Sequence, residues 1–225
     1  MDALTRKALQ GLVGLFFALA AVLFGLAWTL DWWQAWLFLG VYFACSIALS
    51  LWMMGHDRSL VERRMRGGPF AEKEPTQKLI MALTSAGFTG MFVVPAFDHR
   101  YGWSHMPVAI VLAGNVLMVL GWYAIYVVFR ENSYASATIE LAADQKVIST
   151  GPYALVRHPM YAGALPMLFA MPIALGSWWG LVPFLVILPA LIWRIFDEER
   201  FLESGLAGYA TYKQKVRYRL IPHLW

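Results

Sequence analysis

Charge is scarce in this chain. Asp, Glu, Lys and Arg make up only 14% of its 225 residues, against about 25% in a typical soluble domain. A soluble core at this length would be ample, so small size does not account for the shortfall. Cysteine is nearly absent. The single Cys45 lies inside an apolar run, which excludes a disulfide framework and a cysteine-built metal centre within one chain. The five histidines (His56, His99, His105, His158 and His223) show neither HxxxH nor HExxH spacing. No structural or catalytic metal site is expected from them. The basic excess is small, +4, and its residues flank apolar spans, so it reads as membrane topology and not as a nucleic-acid surface.

What the chain does have is apolar surface. Hydrophobic residues reach 60%, aromatics 16% with 11 Trp, and the mean hydropathy is +0.55. The Trp content suits the interfacial belts of a bilayer protein. Four runs are long enough to cross, at about 20 residues per span: 8–30, 33–54, 79–97 and 107–129. Arg6 and Lys7 precede the first, and Ala18-Leu19-Ala20 resembles a signal-peptidase site. The run continues past it to Leu30, so we read a retained first span. In the third span, Gly87 and Gly90 predict close helix packing, and Pro95 is expected to end the helix and not to kink it. Lysines and arginines then alternate from connection to connection. They are rich before span one, absent between one and two, rich at 58–78, reduced to Arg100 between three and four, and rich again in Arg130, Lys146 and Arg157. That alternation places the N-terminus in the cytoplasm. The linker 55–76, with Arg63-Arg64-Met65-Arg66, Gly67-Gly68-Pro69 and Lys73, reads equally as a short interfacial helix or as a solvated basic loop.

Residues 161–194 are apolar but carry Pro166, Pro172, Gly176, Gly180, Pro183 and Pro189. One straight helix of that length would run ~50 Å, too long for a ~30 Å hydrocarbon core. A hairpin turning near Leu175-Gly176-Ser177 fits better, and it returns the basic tail to the cytoplasmic face. The fold expected is therefore all-α: a polytopic membrane helix bundle of four spans plus a C-terminal helical hairpin, with a cytoplasmic cap. It divides into a four-span region, 1–129, and a C-terminal core, 130–225, joined in one integrated domain.

The spans hold almost no ionisable groups, and two polar clusters flank the hairpin. The first runs from Gly151 to Gly163 and includes Tyr153, Arg157, His158, Pro159 and Tyr161. Gly151-Pro152 makes a turn, and Pro159 holds His158 extended. Arg157, His158 and Tyr161 could offer an anion a fork of donors. Ala162, Gly163 and Ala164 would let a ligand approach the backbone. The second cluster is Arg194-Ile195-Phe196-Asp197-Glu198-Glu199-Arg200. Glu198 and Glu199 point about 100° apart on a helix, so one at most faces a pocket squarely. Arg194, four residues before Glu198, can pair with it. Asp197, Arg200 and Glu203 read as a surface ion-pair ladder. Charged groups at a membrane boundary beside an apolar pocket mark a functional site.

The run Gly151-Pro152-Tyr153, Val156-Arg157-His158-Pro159, Tyr161 and Gly163 resembles the signature of the isoprenylcysteine carboxyl methyltransferase family. The related phospholipid N-methyltransferases share it more loosely. Glu198-Glu199, Gly205, Tyr209, Tyr212, Arg217, Arg219 and Ile221-Pro222 continue the likeness in order. It covers roughly residues 130–225, while residues 1–129 match only as apolar spans. The soluble methyltransferase pattern is absent: there is no GxGxxG and no strand–helix alternation to carry one. The resemblance implies an S-adenosylmethionine site built from Tyr153, Arg157, His158, Pro159, Tyr161, Gly163, Glu198, Glu199, Tyr209 and Tyr212. In it His158 and Tyr161 hold the methionine end near the Gly163 backbone. Glu198 or Glu199 serves the ribose or amino group, and the Tyr209–Tyr212 segment closes the pocket. It further implies a bacterial-type member in the inner (plasma) membrane, acting among membrane lipids on a lipophilic acceptor with a carboxylate, thiol or amine nucleophile. A carboxylate acceptor needs a positioning cation and no base, and Arg194 is the first candidate, with Arg130 the alternative. Two other classes compete. A sterol-type reductase would place NADPH in a similar C-terminal architecture, with an added basic pocket for its 2′-phosphate. A transporter or scaffold is the other, and a transporter predicts ionisable groups at mid-membrane.

Overall fold

The computed structural model describes residues 2–66, 75–135, 141 and 145–225. Gly67-Gly68-Pro69, Lys73 and part of the 130–160 loop lie outside the described residues. Eight α-helices and no strand are found among the described residues. In chain order they are α1 (Ala3–Ala27), α2 (Trp33–His56), α3 (Arg58–Arg66), α4 (Pro75–Tyr101), α5 (Val108–Glu131), α6 (Pro159–Ala174), α7 (Leu181–Gly205) and α8 (Tyr209–Lys215), with a 3-10 turn at Gly151–Ala154. Four of these, α1, α2, α4 and α5, are long and apolar enough to cross a membrane. The described first part of the basic linker forms a helix, α3. Its start is set by Asp57, whose carboxylate accepts from the Leu60 N–H at 3.0 Å.

Close packing follows the small residues. α5 runs antiparallel along α6: a Cβ on Gly114 would stand 2.8 Å from the Ala174 nitrogen, and one on Gly121 2.6 Å from Met167 Cβ. α4 runs antiparallel along α7, where a Cβ on Gly87 or Gly90 would meet Ile187 or Pro183 at 2.5 and 3.0 Å. In lipid, where apolar burial drives helices together little, such backbone approach is what holds them. Pro95 does not end its helix: α4 continues through it to Tyr101. The proline ring packs where Gly180 leaves room, 2.7 Å from a Cβ built there, and membrane helices accommodate proline when neighbours enclose it. The core between the helices contains Leu23, Phe38, Met91, Met118, Met171 and Ile187, each fully enclosed.

The hairpin forms as expected, with α6 ending at Ala174 and Gly176 turning the chain at φ 80°. A buried knot ties its turn to the α4–α5 connection. The Asp98 carboxylate accepts from the Ser104 N–H and hydroxyl, both at 2.6 Å, and from the Ser177 hydroxyl. The turn therefore reaches the level of the α4–α5 connection. From there the arms part, α6 following α5 and α7 following α4. At the opposite end of the bundle the wedge between them opens. The chain start, α3, the start of α6 and the C-terminal tail all gather there: Arg58 pairs with Asp2 at 2.5 Å, and the Arg157 N–H bonds to the Tyr218 carbonyl at 2.9 Å.

Candidate active site

The open end of the wedge is built on one buried carboxylate. Glu199, on α7, is 3% exposed. It accepts from Arg157 Nε at 2.6 Å, His158 Nε2 at 3.2 Å and Arg219 Nε at 3.1 Å. Burial alone would raise its pKa. Hydrogen bonds from His158 and Arg157, and their charges, outweigh burial and bring it down to about 2. The other donors of Arg157 hold the Val216 and Arg217 carbonyls at 2.8 and 2.7 Å. Of the fork expected to grip an anionic ligand, Arg157 and His158 thus grip the chain's own Glu199, and Arg157 the tail as well, while Tyr161 reaches Glu198. The neighbouring residues explain the geometry. Gly151, at φ 55°, lies against the Glu131 carboxylate, which leaves no space for a Cβ. Pro159 opens α6 at a position where no N–H is needed. His158, at ψ 62°, bends more than the extended conformation expected before proline.

Glu198 faces the other way, into a cavity of about 310 Å³. The Tyr161 hydroxyl donates to Glu198 Oε2 at 2.9 Å and accepts from Arg194 Nε at 3.1 Å. Arg194 therefore reaches Glu198 through the Tyr161 hydroxyl. Gln77 of α4 steadies the arginine, accepting from it at 2.9 Å while donating to Asp197 at 2.9 Å. Asp197 and Glu203 pair outward with Arg200 and Lys213, at 3.2 and 2.9 Å. Tyr153 joins the wall with its hydroxyl bonded to Asn132 at 2.8 Å. Burial is the main cause that pushes its pKa up to about 12. The Tyr212 hydroxyl donates to the Tyr153 carbonyl at 2.8 Å, while the Tyr209 hydroxyl is buried with no partner among the described residues.

Of the residues singled out in the sequence, Tyr153, Arg157, His158, Pro159, Tyr161, Arg194, Glu198, Tyr209 and Tyr212 all line this cavity. Three do not. Glu199 supports the wall from behind. Gly163 faces α5, where a Cβ would stand 2.9 Å from Ala124 Cβ, so its smallness serves helix packing and not ligand approach. Arg130 is exposed at the end of α5. The sequence reading missed Arg64, Gln77, Met81, Thr84, Asn132 and Lys146. Arg64 had a usable signal: it lies three and four residues after the buried Val61 and Leu60, and so on the inward face of α3.

The cavity has levels that follow from helix rise. Leu191, Arg194, Glu198 and Leu202 rise along one face of α7 over roughly 17 Å. Its floor, toward the membrane, is Leu191 with Met81 and Thr84 of α4. Its waist is Tyr161 and Arg194. Its upper chamber is Glu198 with the tyrosines. The size falls in the usual range for small-molecule sites, about 300–1,000 Å³.

No curated protein matches the chain. The region that builds most of the cavity does have a family match, which implies a methyltransferase and, with four membrane-length helices, a multi-pass membrane protein. Residues 109–207 match the family model for phospholipid methyltransferase, the family that includes the isoprenylcysteine carboxyl methyltransferases.

Proposed function

We propose that the protein is an integral membrane S-adenosylmethionine-dependent methyltransferase acting on a lipophilic acceptor, with its termini and cavity at the cytoplasmic face of a bacterial inner membrane. One observation carries this reading: a single cavity joins a polar, aromatic upper chamber to an apolar floor made by membrane helices. The upper chamber fits the donor. Glu198 offers a carboxylate to ribose hydroxyls or an amino group, and the buried Tyr209 hydroxyl lacks a partner among the described residues, a state that a bound polar group would relieve. Family members generally use this donor. When bound, it supplies a methyl group on a cationic sulfonium. The protein's own residues do the rest. Tyr161 fixes Glu198 and Arg194 in one hydrogen-bonded line, Arg194 orients the incoming acceptor, and the tyrosines exclude water. Orientation and a dry site are the main sources of rate for such a displacement.

Calorimetry on the detergent-solubilised protein tests the reading. S-adenosylhomocysteine is expected to bind and NADPH not to bind. Glu198→Gln should weaken that binding about tenfold, a loss of roughly 1.4 kcal/mol, while Arg6→Met, at an exposed position of α1, leaves it unchanged. NADPH binding, or Glu198→Gln with unaltered affinity, overturns it.

A further inference from the structure

The outer face of α7 changes character within one turn. Val182, Leu185, Val186, Ile192, Trp193 and Phe196 are exposed and recur at helical spacing, so they form one stripe about 21 Å long. α7 packs along α4, a helix long and apolar enough to cross a membrane, and a stripe of that length falls within a ~30 Å hydrocarbon core. The stripe continues to Arg200, whose side chain is 74% exposed. The apolar region therefore ends between Phe196 and Arg200, a rise of about 6 Å. That interval marks the headgroup level on this helix. Trp193 sits one turn inside it, where tryptophan is favoured.

The tail returns to this level. The Trp225 ring meets Phe196 edge-on, 6.0 Å between centres, and the Arg219 guanidinium lies over both, 4.8 Å from Phe196 and 5.4 Å from Trp225. Residues 219–225 form a closed loop. The N–H groups of Arg219, Leu220 and Ile221 all donate to the main-chain oxygen of Trp225, at 2.8, 3.0 and 3.1 Å. Those of Leu224 and Trp225 donate to the Ile221 carbonyl, at 3.2 and 3.1 Å. A loop tied in this way presents its side chains in fixed places, yet Ile221 is 53% and Leu224 76% exposed. A single exposed apolar residue needs no explanation, but a cluster continuous with a lipid-facing stripe does.

We propose that the loop Arg219–Trp225 is an interfacial anchor whose Ile221, Leu224 and Trp225 seat at the boundary between the headgroups and acyl chains of the bilayer. Its occupant is lipid and not a second copy of the chain, because the loop continues a stripe surrounded by hydrocarbon and stands at the level where that stripe ends. The anchor also braces the cavity. Arg219 Nε donates to Glu199 at 3.1 Å. The Tyr218 and Arg219 carbonyls accept from the Arg157 and His158 N–H groups, both at 2.9 Å, and Arg157 and His158 line the cavity. A loop seated in lipid thus holds that wall from outside, whatever ligand the cavity takes.

The test uses the full chain in phosphatidylcholine nanodiscs, in a Cys45→Ala background, with an environment-sensitive fluorophore on one introduced cysteine. Leu224→Cys reports the loop. Ser204→Cys, exposed one turn beyond Arg200, reports the water side. Phosphatidylcholine with a nitroxide high on its acyl chain is expected to quench the label at 224 roughly threefold more than the label at 204, and iodide roughly threefold less. Iodide quenching at 224 equal to that at 204 overturns the anchor. So does a label at 224 shielded from both quenchers, which would assign the loop to a second copy of the chain. Hydrogen exchange in the same nanodiscs reads the brace. Leu224→Asp should speed exchange of the Arg157 and His158 amides about tenfold, as local opening does, and leave the Ser104 amide in the Asp98 knot within about twofold of wild type. Leu224→Phe, which keeps the apolar contact, should match wild type. Unchanged Arg157 and His158 amides in Leu224→Asp overturn the brace, and equal acceleration at Ser104 does too, since it reports loss of the whole fold.

Discussion

At the scale of single residues, Glu198 and Glu199 are chain neighbours with opposite duties, because a helix turns about 100° between them. Glu199 faces the tail and holds Arg157, His158 and Arg219, while Glu198 faces the cavity. The sequence showed that at most one of the two would face a pocket squarely. It did not show which, since that depends on the rotation of α7 against α6. The low pKa of Glu199 has a consequence for stability. A carboxyl whose folded pKa, about 2, lies below its ordinary 4.5 stabilises the fold fully above pH 4.5 and loses that contribution as pH falls toward 2. The contribution near neutrality is roughly 3 kcal/mol. Thermal unfolding in detergent should therefore show Tm falling between pH 5 and 3 in the wild type. Glu199→Gln should have a lower Tm at pH 7 and a flatter profile below pH 5; an equally steep profile would refute this role. Gln77 acts through Arg194. Gln77→Leu should raise the acceptor KM about tenfold, the loss of one charged hydrogen bond of roughly 1.5 kcal/mol. S-adenosylhomocysteine affinity should hold.

At the scale of elements, the spans and the hairpin were legible because hydrophobic length and proline–glycine breaks are local properties. The end of α4 was not. Pro95 reads as a stop in isolation, but Gly180, eighty-five residues later, gives its ring a seat. The Asp98 knot escaped for the same reason, since its partners Ser104 and Ser177 come from two separate connections. Asp98→Ala would leave several buried donors unsatisfied, at about 1–3 kcal/mol each. Its Tm should drop by many degrees, while any S-adenosylhomocysteine affinity of the folded fraction should be retained, because the knot lies at the far end from the cavity. The α5–α6 crossing gives a second case. At Gly121 a Cβ would meet the Met167 backbone and side chain within 3.1 Å. Gly121→Leu should therefore destabilise by overpacking, roughly 1–3 kcal/mol or more, whereas Gly25→Leu, with open space around it, should be nearly neutral. Equal Tm values for the two would contradict this account of the crossing.

At the scale of the molecule, the basic residues that alternate along the sequence converge on one end of the bundle: Arg58 beside Asp2, Arg63 on the Ser133 carbonyl and the tail on Arg157. The positive-inside rule supports the proposal that this end is cytoplasmic. Single cysteines at Ser59, Ser149 and Ser204, in a Cys45→Ala background, should all resist an impermeant thiol reagent in whole cells and react after lysis. Labelling at Ser204 alone in intact cells would place the tail outside and break the hairpin topology.

The sequence by itself determined the class, the number of spans and the two polar clusters, because these follow from run lengths, breakers and charge placement along the chain. It also carried the family likeness at residues 151–222, which the family match at 109–207 meets in α6 and α7. The tertiary structure alone decided which side chains enter the cavity. Arg64, Met81 and Thr84 come from the N-terminal region, where no motif marked them. Arg157 and Glu199, expected at the ligand, hold each other at 2.6 Å. The physical reason is that a side chain's role is set by the rotation of its helix and by what packs against it, and in this bundle those were fixed by glycines on helices, and by serines in connections, distant in the chain.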